Sequence, residues 1–177
     1  MKLVTSALAL AAFTVPALVS AQAVTDAQIA AIVVTANQVD IDAGTLATTK
    51  GSSAQVKAFG KQMVTDHTGV NKQAGDLVAK LGVKPEDNAT AQSLKAGGAA
   101  NVKQLSGLSG AAFDKAYVDH EVVYHQQVLD AIDKTLIPSA QNAELKALLQ
   151  SGLALFQAHQ KHAEQLASRL QSASASQ

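Results

Sequence analysis

Residues 53–82 read SAQVKAFGKQMVTDHTGVNKQAGDLVAKLG, and this stretch decides the fold. Val56, Phe59, Gly60, Met63, Val70, Ala74, Leu77, Val78 and Leu81 follow one another mostly at steps of three and four. That spacing gathers them into one stripe of a helix, whereas on a strand they would scatter over both faces. Ser52-x-x-Gln55 reads as a capping box at the start. Gly82 stands where a left-handed C-cap belongs, and Pro85 prevents continuation. A helix is predicted from about Ser53 to Leu81.

The same pattern recurs on both sides. A first helix is predicted over 26–49, opened by the capping box Thr25-x-x-Gln28 and ended by Gly51, with Ile29, Ile32, Val33, Ala36, Val39, Ala43, Leu46 and Ala47 as its stripe. A third runs over 111–137, through Tyr117, Val118, Val122, Val128, Leu129, Ile132 and Leu136, and Pro138 is expected to stop it. A fourth runs over 142–170 through Leu145, Leu148, Leu149, Phe156, Ala163, Leu166 and Leu170. Between the second and third, residues 86–110 are rich in glycine and read as one short, weak helix inside a long connection. Such a length permits a crossover between the second and third helices. The fold expected is all-α, four amphipathic helices around one core.

The chain opens on Lys2 and an apolar run, Leu3 to Val19, interrupted by polar residues and Pro16. A basic start, a short apolar core and small residues before a cut mark a cleavable secretory signal. Cleavage after Ala21 or after Ala23 fits the small-x-small rule, and 1–23 is the preferred signal. The expected division is a signal at 1–23, a bundle domain at 24–171 and a disordered tail at 172–177. About 154 residues then remain, the size of one domain. The run is too short and interrupted for a membrane span, and no Cys follows it to carry a lipid. The expected location is the periplasm, with association at the outer membrane kept open.

Cys is absent, which excludes disulfides and thiolate metal sites. Lys plus Arg and Asp plus Glu are both 14, and no basic patch stands out, so nucleic acid is not an expected partner. Aromatic residues make up 3% of the chain, and no alternating strands with aromatic girdles suggest an outer-membrane barrel. No Ser/His/Asp set and no phosphate-binding loop is present.

The informative residues are polar ones inside the apolar stripes. Asp40 lies seven residues after Val33 and seven before Ala47; His67 lies seven after Gly60 and seven before Ala74. Glu121 and His125 fall among Val118, Val122, Val128 and Leu129, and His159 among Gly152, Phe156, Ala163 and Leu166. All five are close to the middle of their helices, so in a bundle they meet in one layer. Imidazole nitrogen with carboxylate oxygen suits zinc, iron, copper or manganese. A paired Glu-x-x-His di-iron pattern fails, because Val64 precedes His67 and Phe156 precedes His159 by three. A mononuclear site fits better, with Asp66 and Tyr117 as outer partners. Proton release from imidazolium would weaken binding below about pH 6. His120 points away from the stripe and reads as solvated; His162, three after His159 at the stripe edge, reads as exposed, with an extra ligand as the alternative. Against the metal stands a closed hydrogen-bond network of the same residues.

Val39-Asp40-Ile41-Asp42-Ala43-Gly44-Thr45-Leu46-Ala47, Val56 through His67, Phe113-Asp114-Lys115-Ala116-Tyr117, His125 and His159 together resemble a bacterial domain-of-unknown-function family, number 4142. Its members are often labelled outer membrane proteins. The resemblance implies export and a ferritin-like four-helix bundle, and it brings no assigned activity. Family members usually carry Glu where Asp40 stands; Glu121 lies outside the shared stretches and rests on position alone. Three readings remain open: a periplasmic metal-binding bundle, a structural or interaction protein of the envelope with a buried polar layer and an envelope protein partner, and a ferritin-like redox enzyme. An enzyme is the less favoured of these.

Overall fold

A computed structural model describes residues 24–175. The expected signal segment 1–23 and the last two residues lie outside them. The elements are α1 (Asp26–Lys50), α2 (Ala54–Leu81), α3 (Ala89–Ser106), α4 (Gly110–Ala131), a π-helical turn (Ile132–Leu136), a short turn α5 (Ile137–Ser139) and α6 (Ala143–Ala175). Among the described residues there is no strand, and no helix is long and apolar enough to cross a membrane. The molecule is an all-helical bundle.

Hydrogen bonds between helix ends give the direction of each helix. The Glu86 N–H, just past α2, donates to Ala27 at the start of α1, so α1 and α2 are antiparallel. Asn88 donates to the Gln28 carbonyl at the start of α3, and the Lys50 ammonium meets the Ser106 carbonyl at its end. Helix α3 therefore runs back along α1 for its whole length. It returns the chain to the end where α1 finished, and α4 sets off parallel to α2. Asp26 at the start of α1 accepts from the Gln141 and Asn142 N–H groups, so α6 begins beside α1 and runs parallel to it. The pairs α1/α2 and α4/α6 are thus joined by one end-to-end crossover, with α3 packed on the outer side of α1.

The capping box Thr25/Gln28 forms as read, and Gly82 takes the left-handed conformation at φ 66°. Four local expectations are corrected. The cap of α2 is Ser53, not Ser52, because the Ser52 hydroxyl donates instead to Asp114. The weak helix in the connection is a full helix of 18 residues. Ala91, Gly98 and Leu105, seven apart, form one buried seam on it, and a Cβ at Gly98 would stand 2.6 Å from Val39 Cγ2. Pro138 does not stop the third helix at Ile137, which stays helical to Ser139. The Ile137 N–H reaches back five residues to Ile132, and this wider turn accommodates the proline ring and its missing donor. Finally, α6 continues to Ala175, past the expected end at Leu170.

The core has two apolar halves. One gathers Ile29, Ile32, Val70, Leu129, Ile132, Leu136, Leu145, Leu149 and Phe156. The other gathers Ala43, Ala47, Val56, Phe59, Met63, Leu105, Phe113, Tyr117, Val118, Ala163 and Leu166. The buried polar residues of the helix middles lie between them.

Backbones come closest where α1 crosses α2. A Cβ at Gly60 would lie 2.8 Å from the Gly44 carbonyl oxygen and 2.8 Å from Ala47 Cβ. Gly60→Ala should therefore destabilise the fold by about 1–3 kcal/mol, since a fixed backbone must move. Gly69, on the same helix with nothing within 4 Å of its Cβ position, is the control. Gly69→Ala should stabilise by about 0.5–1 kcal/mol. Urea unfolding of both variants checks the pair.

Candidate metal centre

Four helices each bring mid-length polar side chains to the gap between the two apolar halves. α1 supplies Asn37 and Asp40, α2 supplies His67, α4 supplies Glu121 and His125, and α6 supplies His159. All six are buried, Glu121 and His159 completely. The His67, His125 and His159 rings stand 5.2–5.7 Å apart, centroid to centroid. Each of the three offers a ring nitrogen within 4.8 Å of those of the others, and Asp40, Glu121 and His125 form a second such group. The five residues picked out by their place in the stripes thus meet in two overlapping triads that share His125.

Each imidazole is held from outside. His67 Nδ1 lies 2.7 Å from Asn37 Oδ1. The Asn37 amide orientation is fixed, because its Nδ2 donates to the Val33 carbonyl at 2.9 Å. His67 Nδ1 must then carry the hydrogen and donate. His125 Nδ1 donates to the Glu121 backbone carbonyl at 2.9 Å, where only a donor fits. His159 Nε2 donates to the Asp66 carboxylate at 2.9 Å. These bonds fix the three tautomers and leave His67 Nε2, His125 Nε2 and His159 Nδ1 as bare lone pairs. All three are buried without a hydrogen-bond partner. Such an outer acceptor on each ring is what orients imidazoles around a metal.

Two carboxyls stand beside the rings. Neither Glu121 oxygen has a hydrogen-bond partner of acceptable geometry. Asp40 Oδ2 is 3.5 Å from His67 Nε2, and Glu121 Oε2 is 3.4 Å from His125 Nδ1. Tyr117, close enough to act on Glu121, brings a buried hydroxyl without a geometrically acceptable partner. A buried polar atom left unpaired costs roughly 1–3 kcal/mol, so this layer is costly as it stands.

The electrostatics follow from burial. Desolvation pushes Glu121 up to about 8, against opposing pulls from Asp40 and Tyr117. Asp40 is raised well above the ordinary range by burial and then by Glu121. Burial lowers His67 to about 2, with His125 and His159 adding to the effect, and lowers His125 to about 4. His159 is lowered by burial while Asp66 pulls the other way. The His67 and His125 rings are neutral well below pH 6, so the loss of binding expected there from imidazolium has no source in them.

Of the residues set aside in the sequence, His162 is half-buried and paired with Gln62 Oε1 at 3.1 Å, edge-on to Phe59. His120 is half-buried rather than solvated, stacked on Tyr124. Neither belongs to the triads. Asp66 does stand behind His159. Asn37 escaped the sequence reading because an uncharged amide gives no ligand signal, although its position three before Asp40 lies on the stripe. Asp114 was also missed as a structural residue. Its carboxylate accepts from the Ser52 and Ser53 N–H groups and the Ser52 hydroxyl, tying the α1–α2 turn to α4.

The family model described as Domain of unknown function (DUF4142) matches residues 13–166. No curated protein and no solved structure matches the chain.

The raised Glu121 pKa has a stability consequence for metal-free protein. Folded Glu121 keeps its proton to about pH 8, while the unfolded group loses it near 4.5. Its contribution is therefore complete below 4.5 and is lost as pH rises through 8. Between pH 6 and 9 the wild type should lose on the order of 2 kcal/mol relative to Glu121→Gln, which cannot ionise. Urea unfolding of both proteins with chelator present, at the two pH values, measures it.

Proposed function

We propose that this chain, which belongs to the DUF4142 family, is an exported metal-binding bundle that holds one transition-metal ion at mid-core. His67, His125 and His159 are its nitrogen ligands, and Asp40 and Glu121 supply carboxylate oxygen. The observation that carries this is the set of three bare imidazole lone pairs, each created by a hydrogen bond on the opposite ring nitrogen. A closed hydrogen-bond network needs a donor aimed at each of these lone pairs, and none stands at hydrogen-bonding distance; a cation satisfies lone pairs and carboxylates together. Imidazole with carboxylate and no thiolate suits zinc, iron, copper or manganese rather than calcium or magnesium.

Two further parts of the proposal rest on other observations. The basic, then apolar, then small-residue pattern of 1–23 supports export to the periplasm. The single end-to-end crossover between two antiparallel helix pairs supports a ferritin-like arrangement, since that connectivity distinguishes such bundles from up-down-up-down ones.

Protein purified from the periplasm and analysed for metals should carry about one equivalent of a single transition metal, as two triads that share His125 imply. His125→Leu should lose the metal together with the thermal protection that added metal gives. Asp66→Ala, which touches no ion, should weaken affinity by about 10–100-fold through His159 alone. Wild-type protein that takes up no zinc, iron or copper, or a His125→Leu variant with unchanged metal content, would return the layer to a structural role.

A further inference from the structure

Next to the polar layer, toward the half of the core that holds Leu149 and Phe156, lies a cavity of about 110 Å³. Its walls are apolar, built chiefly by Ile32, Val70, Ile132, Leu149 and Phe156. Asn37, Asp40 and His67 line it on the side of the polar layer. The exposed residues Thr90 of α3 and Gln127 of α4 mark its mouth, where those two helices scarcely touch. Protein cores seldom leave such a space. An apolar-walled cavity of roughly 150 Å³ stays dry and takes up benzene or xenon.

Gly152 of α6 keeps part of this space open. It is buried on the cavity wall, in mid-helix, where glycine is a poor choice for stability. Packing does not demand it, because a Cβ there would meet only the Phe156 ring, at 3.5 Å. The polar side restricts what can bind. The Asn37 amide is already engaged on both its atoms, by Val33 and His67. What remains is the Asp40 carboxyl, because the His67 Nε2 that lies 3.5 Å from it is fully buried. Asp40 can pair with a hydroxyl, and the apolar walls offer nothing to solvate a charge.

We propose that this cavity binds a small uncharged molecule, an apolar ring of benzene size carrying one hydroxyl. The ring lies among Ile32, Val70, Leu149 and Phe156, and the hydroxyl points at Asp40. The ring's place is independent of the proposed metal. The hydroxyl's place rests on that reading only in its partner, which is the Asp40 carboxyl in metal-free protein and the ion's own coordination shell when metal is bound.

The probes are benzene, phenol and benzoate, added to the full mature chain with and without metal and followed by thermal shift and calorimetry. Benzene and phenol should each raise the Tm of metal-free protein by a few degrees at saturating concentration. Phenol should bind about tenfold tighter than benzene, the worth of one net hydrogen bond. Benzoate should not bind the metal-free form. Gly152→Leu, which fills the cavity, should abolish both shifts while keeping the wild-type metal content; should it fail to fold, Gly152→Ala should remain folded and weaken benzene binding. Absence of any shift with benzene and phenol overturns the proposal, as do equal shifts in the filled variant or benzoate binding metal-free protein as tightly as phenol. Benzene binding to a protein that takes up no metal would uphold the cavity and remove the metal reading, so the two failures are distinct.

Discussion

The structure depends on unpaired polar groups placed where the core should be apolar. Across the middle of the bundle lie imidazole nitrogens and carboxyl oxygens, several of them without a hydrogen-bond partner. A lone buried histidine normally finds a partner for each ring nitrogen. Here every histidine of the layer finds one, and in each case the other ring nitrogen is left bare. The partners differ in kind: an amide oxygen from α1, a backbone carbonyl one turn back on α4, a carboxylate from α2. Three unrelated devices that leave the same kind of lone pair bare argue for a site organised around a positive centre.

The rest of the architecture holds that layer still. Apolar clusters pack above and below it, so each helix is anchored on both sides of its polar residue. Two aspartates clamp the ends. Asp114 of α4 binds the turn between α1 and α2, and Asp26 of α1 binds the start of α6. Each clamp crosses from one antiparallel pair to the other, which fixes their relative height. The contact of Gly44 with Gly60 sets how closely α1 and α2 approach. A ligand set drawn from four helices needs that control, because imidazoles misplaced by an ångström lose a common centre.

The helices themselves were legible because apolar periodicity is local and strong. So was the layer: Asp40, His67, Glu121, His125 and His159 interrupt stripes that are otherwise apolar, and all sit at mid-helix. The connection containing α3 was read as weaker than it is, since Gly97 and Gly98 lower helix propensity. Tertiary packing outweighs that penalty. Gly98 is where α3 meets Val39 of α1, and a larger residue would not fit. Pro138 likewise reads as a stop, yet a single widened turn carries the helix past it.

By itself, then, the sequence determined the four long helices, the caps at Thr25 and Gly82 and the identity of the charged residues that share the central layer, because these depend on spacing along one chain. Family membership was likewise legible, through short stretches such as Met63-Val64-Thr65-Asp66-His67 and Phe113-Asp114-Lys115-Ala116-Tyr117. Only the tertiary structure decided which ring nitrogen of each histidine is bare. That choice depends on Asn37, Asp66 and the Glu121 carbonyl, and two of these reach their histidine from another helix. The cavity beside His67 was equally invisible in the sequence, because an empty space has no residue of its own. It arises where side chains of separate helices stop short of one another, and no spacing within one helix records that distance.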